Sequence, residues 1–129
     1  MKVKRNWPLF VIFSITLSMC HVDNHKLLLI NNDNKSYYYR LLVDTLDLKK
    51  GLYTYPINTN DSVRPLFVRG GEGAWEYQIN NYSPDSTLNI YLFENARLTD
   101  DIILQRKFKK LTYNVKDLEN LNWRIVIPK

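Results

Sequence analysis

The sequence predicts a mainly β domain: an antiparallel, sandwich-like arrangement of about six to seven strands, with one short α-helix at residues ~115–121 before the last strand. Three observations predict it. Short stretches alternate apolar with polar side chains and are rich in aromatic and β-branched residues. Segments rich in Asn, Asp, Pro and Gly punctuate them at close intervals. A three-residue apolar repeat behind a helix-capping signature is clearest in one place, near the C terminus.

Residues 1–19 stand apart from that domain. Lys2, Lys4 and Arg5 precede a short, mostly apolar run from Leu9 to Met19. A bilayer-spanning helix needs about 20 apolar residues, so the run fits a secretory leader and not a span. It ends in Leu17-Ser18-Met19-Cys20, similar to the bacterial lipobox, in which an aliphatic residue stands three positions before the modified cysteine. The lipobox likeness implies a diacylglycerol on the Cys20 sulfur, cleavage before it and acylation (palmitate or similar) of the new amino terminus. Met19 departs from the small residue usual there. Each buried methylene contributes about 0.8 kcal/mol, so two or three acyl chains hold firmly. Residues 20–26 then read as a lipidated tether and 27–129 as a single β-rich domain.

Within the domain, Lys26–Ile30 is a short apolar run closed by the turn Asn31-Asn32-Asp33-Asn34. Ser36–Asp44 alternates Tyr37, Tyr39, Leu41 and Val43 against Tyr38, Arg40 and Leu42, which suits a strand paired with the first run as a hairpin. Thr45–Asp61, with Gly51 and Pro56, reads as an irregular connection. Ser62–Arg69 is a weaker strand that Pro65 pushes to a sheet edge. Gly70-Gly71-Glu72-Gly73 lacks the lysine and hydroxyl residue of a phosphate-binding loop and reads as a glycine turn.

Trp75–Asn80 alternates Trp75, Tyr77 and Ile79 with Glu76, Gln78 and Asn80, the pattern of a half-buried strand. Ser83-Pro84-Asp85-Ser86 follows as a turn. Thr87–Glu94 is apolar on both faces and is expected in mid-sheet. Thr99 caps a helical turn or two, with Asp100 and Asp101 placed to complement the helix dipole. Gln105–Tyr113 returns to extended structure and carries the basic cluster Arg106, Lys107, Lys109 and Lys110, either a solvated face or one turned to phospholipid or an anionic glycan. Asn114 caps the clearest helix of the chain, Asn114–Asn122, with Asp117 three residues on. Val115, Leu118 and Leu121 form its apolar stripe, Asn122 stops it, and Trp123, Ile125 and Ile127 alternate in a closing strand ended by Pro128.

Composition narrows the function. Removing residues 1–19 from 129 leaves 110, enough for one core. The formal charge is +5, but three of the 18 basic residues lie in the leader, so the mature chain carries +2 and implies no nucleic-acid surface. Cys20 is the one cysteine, which excludes a disulfide framework and a thiolate zinc site. His21 and His25, with Asp23 between them, are too few and too terminal to make a metal site, and no cofactor is expected. Because both histidines lie in the tether, a Ser-His-Asp or Cys-His arrangement has no supply within the fold. Glu72, Glu76, Asp85 and Glu94 show no spacing that singles out a glycosidase-like pair.

The chain resembles a family of small lipoproteins of unknown function from Bacteroides-type bacteria. The resemblance rests on the lipobox, on Trp75-Glu76, on Leu88–Glu94, and on the stretch from Asn114 to Trp123 followed by Ile125 and Pro128. It implies lipid anchoring in the cell envelope, with the outer membrane the expected site and its periplasmic face or outer surface both open. It carries over no catalytic residues. The chain is therefore expected to be no enzyme but a binding module for a partner protein or glycan, with an envelope inhibitor or immunity-type protein as the alternative. Candidate ligand-contacting residues are Trp75, Tyr77, Tyr82 and Tyr91, whose rings are suited to stacking on sugars; the competing reading makes Trp75 and Tyr77 core.

Overall fold

The alternating stretches build two sheets around one shared core. A computed structural model describes residues 26–43, 53–65, 73–97 and 99–129; the leader, Cys20, the tether histidines and Gly70–Glu72 lie outside the described residues. The strands are β1 (Leu28–Asn31), β2 (Tyr37–Leu42), β3 (Tyr55–Ile57), β4 (Ser62–Val63), β5 (Thr87–Phe93), β6 (Lys109–Asn114) and β7 (Arg124–Ile127). Three short helices join them: α1 (Ala74–Tyr82), α2 (Asp100–Leu104) and α3 (Val115–Asn120). One sheet has the order β4-β1-β7 and the other β3-β2-β5-β6. Leu29, Ile125 and Ile127 from the first meet Tyr39, Leu41, Ile57, Leu88, Ile90 and Leu92 from the second in one buried cluster. The mainly β, two-sheet architecture with mostly antiparallel pairing is thus the one expected, with no closed barrel.

β5 lies inside its sheet, between β2 and β6, and is buried from Leu88 to Phe93, as its two-sided apolar pattern requires. β4 is an edge strand of two residues, so the expected strand Ser62–Arg69 is shorter than its pattern suggests: Arg64 and Pro65 are not strand, and residues 66–69 lie outside the described residues. α3 has the full capping box: Asn114 Oδ1 accepts from the Asp117 amide at 2.8 Å and Asp117 Oδ2 accepts from the Asn114 amide at 3.2 Å. Its end is a Schellman closure. The Trp123 amide donates to the Leu118 carbonyl at 2.7 Å and the Asn122 amide to Glu119 at 2.9 Å, with Asn122 left-handed at φ 50°. Leu118 and Trp123, the two residues that motif brings together, are both buried.

Four further expectations are corrected. β1 and β2 are not a hairpin. β1 pairs in parallel with β7, Leu28 opposite Arg124 and Asn31 opposite Ile127, while β2 pairs with β3 and β5 in the other sheet. The loop between them is held open by Asn31, whose buried amide donates to the carbonyls of Lys35 at 2.7 Å and Asn58 at 3.0 Å. Secondly, Trp75–Asn80 is helix α1, not a strand. Trp75 and Ile79 are four residues apart and both fully buried, so a run that alternates also satisfies the helical period. Its N-cap is Gly73 at φ 79°, with no capping side chain, which removes the usual start signal. Tyr77, expected inward, is accordingly exposed.

The Thr45–Asp61 connection contains β3, whose Tyr55 and Ile57 pair with Tyr39 and Tyr37. Finally, the α3 stripe is narrower than its spacing suggests: Leu118 is buried, Val115 is partly covered and Leu121 remains 42% exposed in the closing turn.

Trp123 holds the junction of α1, α3 and β7. Its ring lies 6.4 Å from that of Trp75, and the Lys26 ammonium sits 4.2 Å over its centroid. Replacement by alanine removes that contact and leaves a cavity, at a cost of about 3–5 kcal/mol. Urea denaturation of Trp123→Ala is expected to show that loss, and an unchanged midpoint would contradict the packing.

Candidate functional site

Strand direction gives the two ends of the domain different characters. β1 starts at Leu28, beside Trp123, and ends at Asn31; β2 starts from the following loop, so its Tyr38 pairs with Phe93 at the far end of β5. One end therefore gathers Lys26, α1, α3 and Trp123. The other gathers the Asn32–Ser36 loop, the turn after β3, Glu94, α2 and Pro128.

At this second end lies a half-open cleft of about 380 Å³. Leu92, Ile102 and Phe108 supply its apolar walls, and Glu94, Asn95, Lys107 and Lys109 its polar rim. That volume falls within the range of small-ligand sites. Ile102 comes from α2, whose N-cap is Thr99 without a side-chain bond and whose first turn carries Asp100 and Asp101. α2 also ends in a Schellman closure: the Lys107 amide donates to Ile102 at 2.9 Å and the Arg106 amide to Ile103 at 3.2 Å. Arg106 takes the left-handed position at φ 50° that glycine usually fills. This sharp reversal turns Lys107 and Phe108 toward the cleft at the start of β6.

A network of polar side chains forms its base. The Tyr37 hydroxyl donates to Asp33 Oδ2 at 2.6 Å, and the Lys109 ammonium donates to Tyr37 Oη at 3.0 Å and to the Pro128 carbonyl at 3.2 Å. Lys109 Nζ is also 3.8 Å from Asp33 and 5.1 Å from the centre of the Tyr37 ring. The Tyr37 hydrogen bond lowers the Asp33 carboxyl below its usual value; the Asn34 amide and the nearby Lys109 and Lys35 charges act the same way, against partial desolvation. Lys35 is raised by its bond to Glu94, 3.3 Å away on the rim. Lys107 is exposed and makes no ion pair among the described residues.

The aromatic candidates separate. Trp75 is fully buried under α1 and offers no face to a ligand. Tyr91 is 3% exposed, stacked at 6.5 Å on Phe93 and edge-on at 5.4 Å to Phe108, so it backs the cleft ring without reaching the cleft. Burial raises its hydroxyl pKa. Tyr77 and Tyr82 are each 58% exposed and meet edge-on at 6.0 Å on α1, at the opposite end. The basic run is likewise divided. Successive residues of β6 face opposite sides, so Lys109 joins the Tyr37 network while Lys110 lies 5.8 Å over Tyr91.

Phe108 and Ile102, which form the cleft walls, carry no functional signature in the sequence. The strand-like alternation of Lys107–Tyr113 hints only that Phe108 and Lys110 share a face. Among the described residues no group of three or more His, Cys, Asp or Glu side chains is placed to hold a metal ion, and no helix is long and apolar enough to cross a membrane. No protein-family model matches the chain, and neither does any curated protein or solved structure.

An aspartate held below its ordinary 3.8 contributes stability that is present above that pH and lost as the pH falls through its lower folded value. The gap in melting temperature between the wild type and Asp33→Asn is therefore expected to be widest near neutral pH and to close in acid below 3.8. A gap of constant size across a pH series of thermal melts would show that the Asp33 charge adds nothing to the network.

Proposed function

We propose that the chain is a lipid-anchored, non-catalytic binding module of the cell envelope that offers the Phe108–Lys107 cleft to a partner protein or glycan. One observation carries this reading: Lys26, where the tether from Cys20 joins the fold, bonds to Glu76 of α1, at the end of the sheets opposite the cleft. A domain held by that tether has its concave surface free to face away from the bilayer. The cleft joins apolar walls to the exposed Lys107 ammonium, which has no ion pair among the described residues and suits a ligand with an anionic group beside an apolar or sugar-ring face. Its tyrosine–lysine–aspartate base is committed to internal hydrogen bonds and serves to hold Lys109 and Tyr37 in place.

Lys107→Glu reverses the exposed charge at the rim without touching a buried contact. Capture of the partner from envelope extracts, or binding on a glycan array, is expected to weaken about tenfold, a change of about 1.4 kcal/mol. Equal binding by the variant would move the site away from the cleft. A single stoichiometric enzyme in the captured fraction would make the module an inhibitor, and hydrolytic turnover by the purified chain would overturn the non-catalytic reading.

Cys20→Ala is expected to abolish incorporation of labelled fatty acid and to release the protein from the membrane fraction. Label retained by that variant would refute the anchor.

A further inference from the structure

Among the described residues, the rings of the exposed α1 tyrosines, Tyr77 and Tyr82, meet no other ring than each other. Tyr77 and Asn81, four residues apart, share one side of the helix with Asn80 beside them, and Tyr82 closes on the Tyr77 ring from the last turn; all four are exposed. The one charged residue of α1, Glu76, is half-buried and neutralised by Lys26. The face is thus aromatic, amphipathic and uncharged. Rings with an apolar body and a hydroxyl tip favour the membrane–water interface, where one end is apolar and the other hydrated.

Chain length makes the occupant specific. From Cys20 to Lys26 is six residues, at most about 20 Å when fully extended. Lys26 is bonded to α1 and lies over Trp123, so this helix is the element tied closest to the lipidated sulfur. The cleft lies further off by the length of β1, about 13 Å for four residues. Leu121, 42% exposed in α3's closing turn, belongs to the same end.

We infer that the Tyr77–Tyr82 face of α1 rests in the headgroup region of the bilayer that holds the lipid chains, and so orients the cleft outward. The inference rests on acylation of Cys20 as proposed above. The anchor supplies a high local concentration at the surface, and the two rings supply orientation. Neither ring needs affinity sufficient to bind a membrane alone.

The test uses the full chain, exported with its own leader. Mass spectrometry of the amino-terminal peptide first establishes whether Cys20 is acylated; an unmodified thiol overturns both the anchor and this inference. The acylated protein then carries one environment-sensitive fluorophore, at Asn80→Cys or at Lys129→Cys, in vesicles of phosphatidylethanolamine and phosphatidylglycerol containing headgroup-nitroxide lipid. The position-80 probe is expected to lose most of its emission, while the position-129 probe at the far end keeps its own. Tyr77→Ser with Tyr82→Ser is expected to restore position-80 emission without changing acylation. Equal quenching at both positions, or quenching at 80 that survives loss of both tyrosines, in protein shown to be acylated, would overturn the docked orientation and leave the anchor standing.

Discussion

The parallel pairing of β1 with β7 is the constraint on which the rest of the domain depends. It joins strands from the two ends of the fold, with Leu28 beside Arg124 and Asn31 beside Ile127. Without it β4 has no sheet to join, since among the described residues β4 pairs only with β1. Leu29, Ile125 and Ile127 would also have no common face to turn toward the four-stranded sheet. Closing so long a loop costs chain entropy before any contact is gained. The burial of those side chains and of Trp123 offsets that cost.

The same pairing fixes what stands at each end. Lys26 is brought to Trp123 because β1 begins where β7 begins; Asn31 is brought near Pro128 because the two strands end together. Lys26 and the cleft are held at opposite ends by this register. At the cleft end, polar groups do the joining. Asn31 ties the first loop to the carbonyls of Lys35 and Asn58, and Lys109 of the four-stranded sheet reaches the carbonyl of Pro128 beyond the three-stranded one. A buried amide such as that of Asn31 is costly unless its hydrogen bonds are made, so its contacts specify one arrangement of the loop more than they add net stability.

Both α2 and α3 end in a left-handed residue that is not glycine, Arg106 and Asn122, followed within two residues by an aromatic ring. Packing of Phe108 and Trp123 compensates the backbone cost of about 1 kcal/mol or more at each reversal. These two turns shape the two ends of the domain: one aims Phe108 at the cleft, and the other seats Trp123 beneath Lys26.

Local signals were sufficient wherever one stretch of chain settles its own structure. The capping box at Asn114 and Asp117, the two-sided apolar run of β5 and the mainly β class are all legible in the sequence, because each depends on neighbours within a few residues. Partnership was not legible. That β1 chooses β7 over β2, that Trp75 and Ile79 lie on a helix, and that Phe108 meets Ile102 across a cleft while Tyr91 is sealed behind it, are decided by which surfaces can be buried together. Alternation and the four-residue helical spacing coincide in Trp75–Asn80, so only the surrounding core could choose between them. The tertiary structure decides because the free energy of hiding a side chain belongs to the pair of surfaces in contact and not to either segment alone.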